Sequence, residues 1–367
     1  MCCGRHDDVV SAGAGSRPRE LESEQVAEFE LSADEVHLMR RREFIAGLGS
    51  TAVWPLAART QQGDRVWHVG VVMNVIQEDP GGAADVMAFR QGLAELGWIE
   101  GRNIDIEFRW PGGDIHRVQA FAKELVGRRP DVLIGRSTPT IVALKRETAT
   151  IPIIFVNVPE PVEQGFVQGL ARPGGNITGF TNFEAPIGGK WLQLLKEVDP
   201  RIARVAVIYN PQTAPFAGLF LRSVHGAAPT FAVEAVAMPI LDDAEIEAAL
   251  TAFVQQPYGG LIAIPDSFTG QHRDRIIALT ARYRLPALYA NSSATPSGGL
   301  MAYAVDTRDT MQRAAGYVDR ILKGAKPGDL PVQQPARFQL SINLKTAKAI
   351  GLEVAPNLAA RADQVIE

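Results

Sequence analysis

At 367 residues the chain has room for about two domains of ordinary size. With 46% hydrophobic and 21% charged residues, the composition is that of a globular protein, not of a low-complexity or fibrous chain. A formal net charge of −4 excludes the basic footprint of a nucleic-acid binder, and no apolar run of transmembrane length occurs beyond the N-terminal region.

Residues 1–38 are acidic, lack a strong apolar period and precede a second methionine, so they read as a non-native or disordered extension. From Met39 the pattern changes. Arg40-Arg-Arg-Glu-Phe-Ile45 is followed by a small, weakly apolar stretch ending near Ala58 and then by Gln61-Gln62. Basic, apolar, then small residues is the order of a cleaved export signal, of twin-arginine type, over 39–60. The only cysteines are Cys2 and Cys3, so a disulfide framework, a CxxC redox site and a thiolate metal site are excluded from the body. The end of the signal also carries no cysteine for a lipid anchor.

From residue 66 strands and helices alternate. Residues 66–73 form a β-branched apolar run, hence a strand. Val86, Phe89, Leu93 and Leu96 mark a helix face, stopped by Gly97. A strand at 104–108, a helix carrying Val118, Phe121 and Leu125, and a strand at 131–135 follow. Pro139 suits the first turn of the next helix. Then come a strand at 151–157, a short helix over 162–170 and a strand at 177–180. Trp191, Leu194, Leu195 and Val198 open the second half as a helix stripe. Strands at 205–209, 231–237, 261–264, 287–289 and 300–303 alternate there with helices near 218–226, 244–255 and 273–283. A tail follows, with a helix over 309–322, a Pro/Gly-containing connection, a strand at 338–343 and a helix over 344–350.

The two halves repeat each other. Val69-Gly-Val-Val-Met-Asn74 is echoed by Val205-Ala-Val-Ile-Tyr-Asn210, and Ile151-Pro-Ile-Ile-Phe-Val-Asn157 by Leu285-Pro-Ala-Leu-Tyr-Ala-Asn291, roughly 130 residues later each time. A repeat of that length is a whole domain. Alternation of this kind implies parallel sheets covered by helices. The expected fold is therefore α/β, two Rossmann-like doubly wound lobes joined by a multi-crossover hinge. One lobe comprises 61–182 plus about 304–330, and the other 183–303 plus about 331–367.

Ligands of open α/β sheets bind outside the carboxyl ends of the strands. In the first lobe that rule selects Asn74, Ser137, Thr138, Asn157 and Glu160, and in the second Asn210, Asp266, Asn291 and Tyr303. Ser137-Thr138-Pro139 opens a helix, where hydroxyls and free N–H groups suit a carboxylate, although Ser or Thr there also serves as a plain helix cap. Asp266 and Glu160 suit an ammonium group. The asparagines suit polar ligand atoms or turns of their own backbone. Tyr209, Tyr289 and Tyr303 suit stacking, and Trp110 stands on a loop.

Catalytic patterns are missing. There is no Gly-x-Ser-x-Gly elbow, HExxH or dinucleotide fingerprint, and Gly188-Gly189-Lys190 is followed by Trp191, not by the Ser or Thr of a phosphate loop. His6, His37, His68, His116, His225 and His272 are scattered. No enzyme activity, cofactor or metal is expected.

Several runs resemble one family. They are Leu96-Gly-Trp-Ile-Glu-Gly-Arg-Asn103, Arg172-Pro-Gly-Gly-Asn-Ile-Thr-Gly179, Gly298-Gly-Leu-Met301, the stretch from Tyr317 to Pro331, and Ser341-Ile-Asn-Leu-Lys-Thr-Ala-Lys-Ala-Ile-Gly-Leu352. Together they resemble the substrate-binding proteins of ABC importers, in the group that includes tryptophan and tyrosine binders. The resemblance implies a type I periplasmic binding protein with a hinge of about three crossovers. It would be a monomer that closes on a small molecule (amino acid, aromatic or small carboxylate) and presents it to a cognate ABC permease in the inner membrane. A periplasmic sensor feeding a receptor kinase or chemoreceptor, and a two-lobed transferase, are the alternatives. Where the family usually has Asp-Pro-Val, this chain has Glu160-Pro-Val162, so the resemblance does not extend to aromatic specificity.

Overall fold

The computed structural model of the protein describes residues 65–335 and 337–367; the extension over 1–38 and the signal over 39–60 lie outside the described residues. The first half runs β1 (Trp67–Met73), α1 (Pro80–Glu95), β2 (Ile104–Arg109), α2 (Ile115–Gly127), β3 (Val132–Arg136), α3 (Thr138–Glu147), β4 (Ile153–Val156) and β5 (Ile177–Phe180). Its five strands pair in the order β2-β1-β3-β4-β5, every pair parallel. β3 and β4 are apolar along almost their whole length because helices cover both faces.

The second half runs α4 (Ile187–Val198), β6 (Arg204–Tyr209), α5 (Ala217–Ala227), β7 (Glu234–Pro239), α6 (Asp243–Phe253), β8 (Gly259–Ala263), α7 (Ser267–Gln271), α8 (Arg273–Arg282), β9 (Ala287–Tyr289) and β10 (Met301–Val305). Its strands β7-β6-β8-β9-β10 repeat the order of the first sheet. The chain then continues as α9 (Thr307–Leu322), β11 (Phe338–Asn343), α10 (Leu344–Ala349), α11 (Pro356–Ala360) and β12 (Gln364–Ile366). β11 adds antiparallel to β10, and β12 adds parallel to β11. Among the described residues no helix is long and apolar enough to cross a membrane.

The tail is shared between the lobes. Met311, Ala314, Ala315 and Val318 of α9 are buried among Val69, Phe89 and Leu93 of the first lobe. The backbone therefore crosses between lobes three times: over 181–186, at Asp306, and between Leu330 and Phe338. Two crossings are bonded together, with Gln333 N donating to Gly179 O at 2.9 Å and Thr181 N to Gln333 O at 2.9 Å.

Two local expectations differ. Residues 162–170 form successive turns instead of a helix. Gly165 adopts φ +68°, a left-handed conformation that ends helical turns. In the second half, Ser267–Gln271 is a short helix where only a connection was expected, capped by the Asp266 side chain accepting from Phe268 N.

α9 docks on α1 through a close approach at Gly92. A Cβ there would stand 2.7 Å from the Gln312 carbonyl oxygen and 3.0 Å from Ala315 Cβ. Gly92→Ala is expected to destabilise the protein, because overpacking costs about 1–3 kcal/mol and outweighs the ~1 kcal/mol that Ala gains over Gly in a helix. Urea unfolding checks it, and a more stable variant would mean that the α1–α9 contact yields freely.

Candidate functional site

The carboxyl ends of both sheets open onto one cavity of about 250 Å³. That lies below the roughly 300–1,000 Å³ usual for drug-sized ligands, so an occupant is small. The first lobe contributes the turn after β1, the start of α1, and the ends of β3 and β4. The second contributes the ends of β8 and β9 together with α7, and the crossings contribute Asn182 and Thr307.

Two residues of the cavity wall have strained backbone. Ser137 has φ +87° and ψ 160°, a region that costs non-glycine residues about 1–3 kcal/mol. It is held there because its N–H donates to Val156 O at 2.9 Å while its carbonyl accepts from Thr140 Oγ1 at 2.8 Å. The Ser137 side chain makes no cap bond to α3, so the N–H groups of the first turn of α3 are not capped by it. Asn157, at φ +57°, occupies the left-handed region that asparagine tolerates better than most residues.

Polar contacts bridge the lobes across the cavity. Asn74 Nδ2 donates to Ser137 Oγ at 3.1 Å in its own lobe and to Ser267 Oγ at 2.7 Å in the other. Arg273 Nη1 lies 3.8 Å from Asp79 Oδ2 across the cleft and donates to Ser293 Oγ at 2.6 Å. The Gln271 side chain lies against Gly113, leaving no room there for a Cβ.

Several polar groups of the wall are left unmatched by protein. Asn74 Oδ1 and Asn157 Oδ1 are buried acceptors with no partner among the described residues. Arg136 ends β3 in the cavity wall; its Nε, 3.1 Å from Asp85 Oδ2, forms an ion pair without making a hydrogen bond. Asp266, by contrast, is well matched. Thr213 Oγ1 and Phe268 N donate to its Oδ1, and Asn210 N donates to its Oδ2 at 2.8 Å. Burial pushes the Asp266 carboxyl above the usual carboxylate range against the pull of those donors. Burial likewise raises Asp85, with Arg136 opposing it.

Of the residues selected from strand ends, Asn74, Ser137, Thr138, Asn157, Asp266 and Asn291 line the cavity. Asn291 also closes a turn, accepting from Ser293 N at 3.0 Å. Three lie elsewhere. Glu160 accepts from Ala185 N at the first crossing. Asn210 spends its side chain on Gln212 N and Leu241 O. Tyr303 stacks on Phe338, with ring centroids 5.5 Å apart, against the core of the second lobe. Tyr289 lines the cavity, its hydroxyl bonded to Thr280 Oγ1 at 3.0 Å. Trp110 stacks with Phe108 instead.

Sequence reading passed over both arginines. Arg136 was within reach, since it is the last residue of β3 and directly precedes Ser137. Arg273 carried no signal, because the α7–α8 junction that turns it inward is a tertiary feature. Among the described residues no group of three His, Cys, Asp or Glu side chains is arranged to hold a metal ion.

Comparison with known proteins places this geometry. The family model described as ABC transporter substrate binding protein matches residues 69–366. A curated relative, the tyrosine-binding protein of Clostridioides difficile strain R20291, is 27% identical over 266 residues, 72% of this chain and 76% of its own. Among solved structures, a conserved domain protein from Vibrio cholerae is 29% identical with a TM-score of 0.75, covering 82% of this chain and 99% of its own. The ABC domain of a Streptococcus pneumoniae protein in complex with L-Trp covers the same shares at 22% identity and a TM-score of 0.74.

The raised Asp266 pKa has a sign that can be checked. The folded chain holds this proton more tightly than the unfolded chain does. The stability the group contributes therefore falls as pH rises from the ordinary carboxylate value through the raised one, and is level above it. Asp266→Asn lacks this titration. Its stability relative to the unsubstituted protein is expected to improve as pH rises through that window, as read by urea unfolding at a series of pH values.

Proposed function

This chain belongs to the ABC transporter substrate binding protein family, and from that membership we propose that it captures an amino acid or a related small carboxylate between its two lobes. The observation that carries this reading is the pattern of unmatched groups in the wall. Arg136 beside the start of α3 supplies positive charge and N–H donors for a carboxylate. Asn74 Oδ1 and Asn157 Oδ1 supply acceptors for an ammonium group. A buried acceptor left unmatched costs about 1–3 kcal/mol, which a bound donor offsets. Asn74 bonds to Ser137 and Ser137 to Val156, so these donors and acceptors lie side by side, as the carboxylate and ammonium of an amino acid do, an arrangement that suits a zwitterion better than a sugar, which presents hydroxyls on every side.

Ser137, Thr138 and Asn291 would complete the polar wall, with Asp266 holding the second-lobe loops in place through Thr213 and Asn210. Phe183, Phe216 and Tyr289 border the same cavity and give an apolar side chain somewhere to rest. A tyrosine-binding relative and a neighbour holding L-Trp support an aromatic amino acid as the first candidate. In this reading the protein is exported by the signal over 39–60 to the periplasm. There it works as a monomer without catalysis, closes about the three crossings, and delivers its ligand to a cognate permease of the inner membrane. Opening would exchange the Asn74–Ser267 and Asp79–Arg273 bridges for water, and a ligand that contacts both lobes favours the closed state further.

A thermal-shift series with the purified protein tests this. L-Tyrosine, L-tryptophan, other amino acids, dicarboxylates and sugars are the probes. A ligand at about 100 times its Kd adds about 2.7 kcal/mol of stability. Shifts confined to amino acids or small carboxylates, with the ligand recovered unchanged by mass spectrometry, are expected. Shifts with sugars alone, or a chemically altered ligand, would overturn the reading. Arg136→Gln is expected to weaken a carboxylate ligand by roughly 10- to 100-fold, the value of a charge-assisted hydrogen bond, as measured by titration calorimetry.

A further inference from the structure

Asp85 is fully buried on α1, yet it does not line the cavity. Its two carboxylate oxygens face two residues that do. Thr307 Oγ1 donates to Oδ1 at 2.7 Å, and Arg136 Nε stands 3.1 Å from Oδ2. Thr307 is the first residue of α9, where the chain re-enters the first lobe after β10 of the second. Its neighbour Asp306 is occupied with the helix itself, accepting from Arg308 N at 3.0 Å.

We propose that Asp85 is a positioning residue that ties the cavity arginine Arg136 to the β10–α9 crossing, so that the orientation of the ligand-binding guanidinium and the angle of the hinge are set together. The proposal rests on the reading of the cavity as a ligand site.

The argument is energetic and geometric. A carboxylate placed among apolar residues loses its hydration, and a buried ion pair returns little net stability compared with well-packed apolar residues. Asp85 sits next to buried Val86 and one turn from buried Phe89, a setting in which an apolar side chain would pack without that cost. What the carboxylate supplies instead is direction. Arg136 has a long, rotatable side chain, and a fixed anion beneath it leaves its outer nitrogens toward the cavity. The hydroxyl of Thr307 attaches the same anion to the crossing. The charged groups nearest Asp85 come from three elements: Arg136 at the end of β3, Asp79 ahead of α1, and Arg308 on α9. α1 thus carries two acids with separate duties. Asp79 faces Arg273 across the cleft, and Asp85 faces Arg136 within the lobe. Opening the cleft breaks the first pair and leaves the second intact. Thr307 is the first residue beyond the crossing at Asp306, so its bond to Asp85 fixes the first-lobe end of that crossing.

Pulsed dipolar spectroscopy on the full chain tests this. Spin labels are placed at Leu96→Cys and Tyr258→Cys, exposed positions at the far ends of the two lobes, with Cys2→Ser and Cys3→Ser as background. Thr307→Val keeps the side-chain shape and removes the donor, and Thr307→Ser restores it. Without ligand, Thr307→Val is expected to move the main interlobe distance to longer values, and Thr307→Ser to return it. Asp85→Asn is expected to weaken L-tryptophan, the probe used, by about tenfold. An unchanged distance distribution in Thr307→Val, or a Thr307→Ser variant that behaves like Val, overturns the proposal even if the melting temperature drops. If the unsubstituted protein answers no amino acid or small carboxylate, the ligand reading fails instead, while the ligand-free distances still decide the tie.

Discussion

Parallel pairing forces every strand of a sheet to end on the same edge, and the rest of this structure depends on that constraint. A parallel strand can be reached only by carrying the chain back across the sheet, by a helix that starts at the carboxyl edge after most strands and by turns after β4 and β9. In both lobes the strand order reverses direction at its first strand, between β2-β1 and β3 and again between β7-β6 and β8. Loops on either side of such a reversal part and leave a crevice. Two crevices facing each other become the cavity lined by Asn74 and Ser137 on one side and by Asp266 and Asn291 on the other.

The wall of that cavity departs from the economy of the cores. Elsewhere the buried side chains are mostly apolar, as in the cluster around Phe220 and Leu195. At the cavity, Ser137 is held in a backbone region that favours glycine, and the Asn74 and Asn157 oxygens are buried without partners. Each of these features lowers the stability of the free protein. They occur together where the two lobes meet, which is where an added molecule would compensate them.

The crossings explain how two lobes with separate cores remain one object. The crossings over 181–186 and between Leu330 and Phe338 are hydrogen-bonded where Gln333 pairs beside Phe180, so two of the connections share one short ladder. The third is abrupt: β10 ends at Val305 in one lobe, and α9 begins at Thr307 in the other. α9 is held against α1 by the absence of a side chain at Gly92, and its first residue reaches the buried carboxylate of Asp85. Helix packing, hinge and cavity wall therefore meet within the first turns of α1 and α9.

The sequence by itself determined the alternation of strands and helices, the duplication and the edge of the sheet onto which the cavity opens. Each of these follows from local periodicity: apolar runs of β-branched residues, helix stripes such as Trp191 to Val198, and repeated strand endings such as Asn74 and Asn210. Local periodicity says nothing of direction once the chain leaves its strand. Asn74 and Asn210 occupy equivalent places, yet the first reaches Ser267 across the cleft while the second turns back on Gln212 and Leu241. Tyr303 has the pattern of a strand-end aromatic, but β11 joins the sheet beside it and Phe338 draws its ring against the core. Arg273 of α8 reaches Asp79 across the cleft, and Thr307 of α9 reaches Asp85 of α1. Contacts between residues some two hundred positions apart are decided by how the lobes pack, because side-chain direction at that range is set by the neighbours that three-dimensional folding supplies.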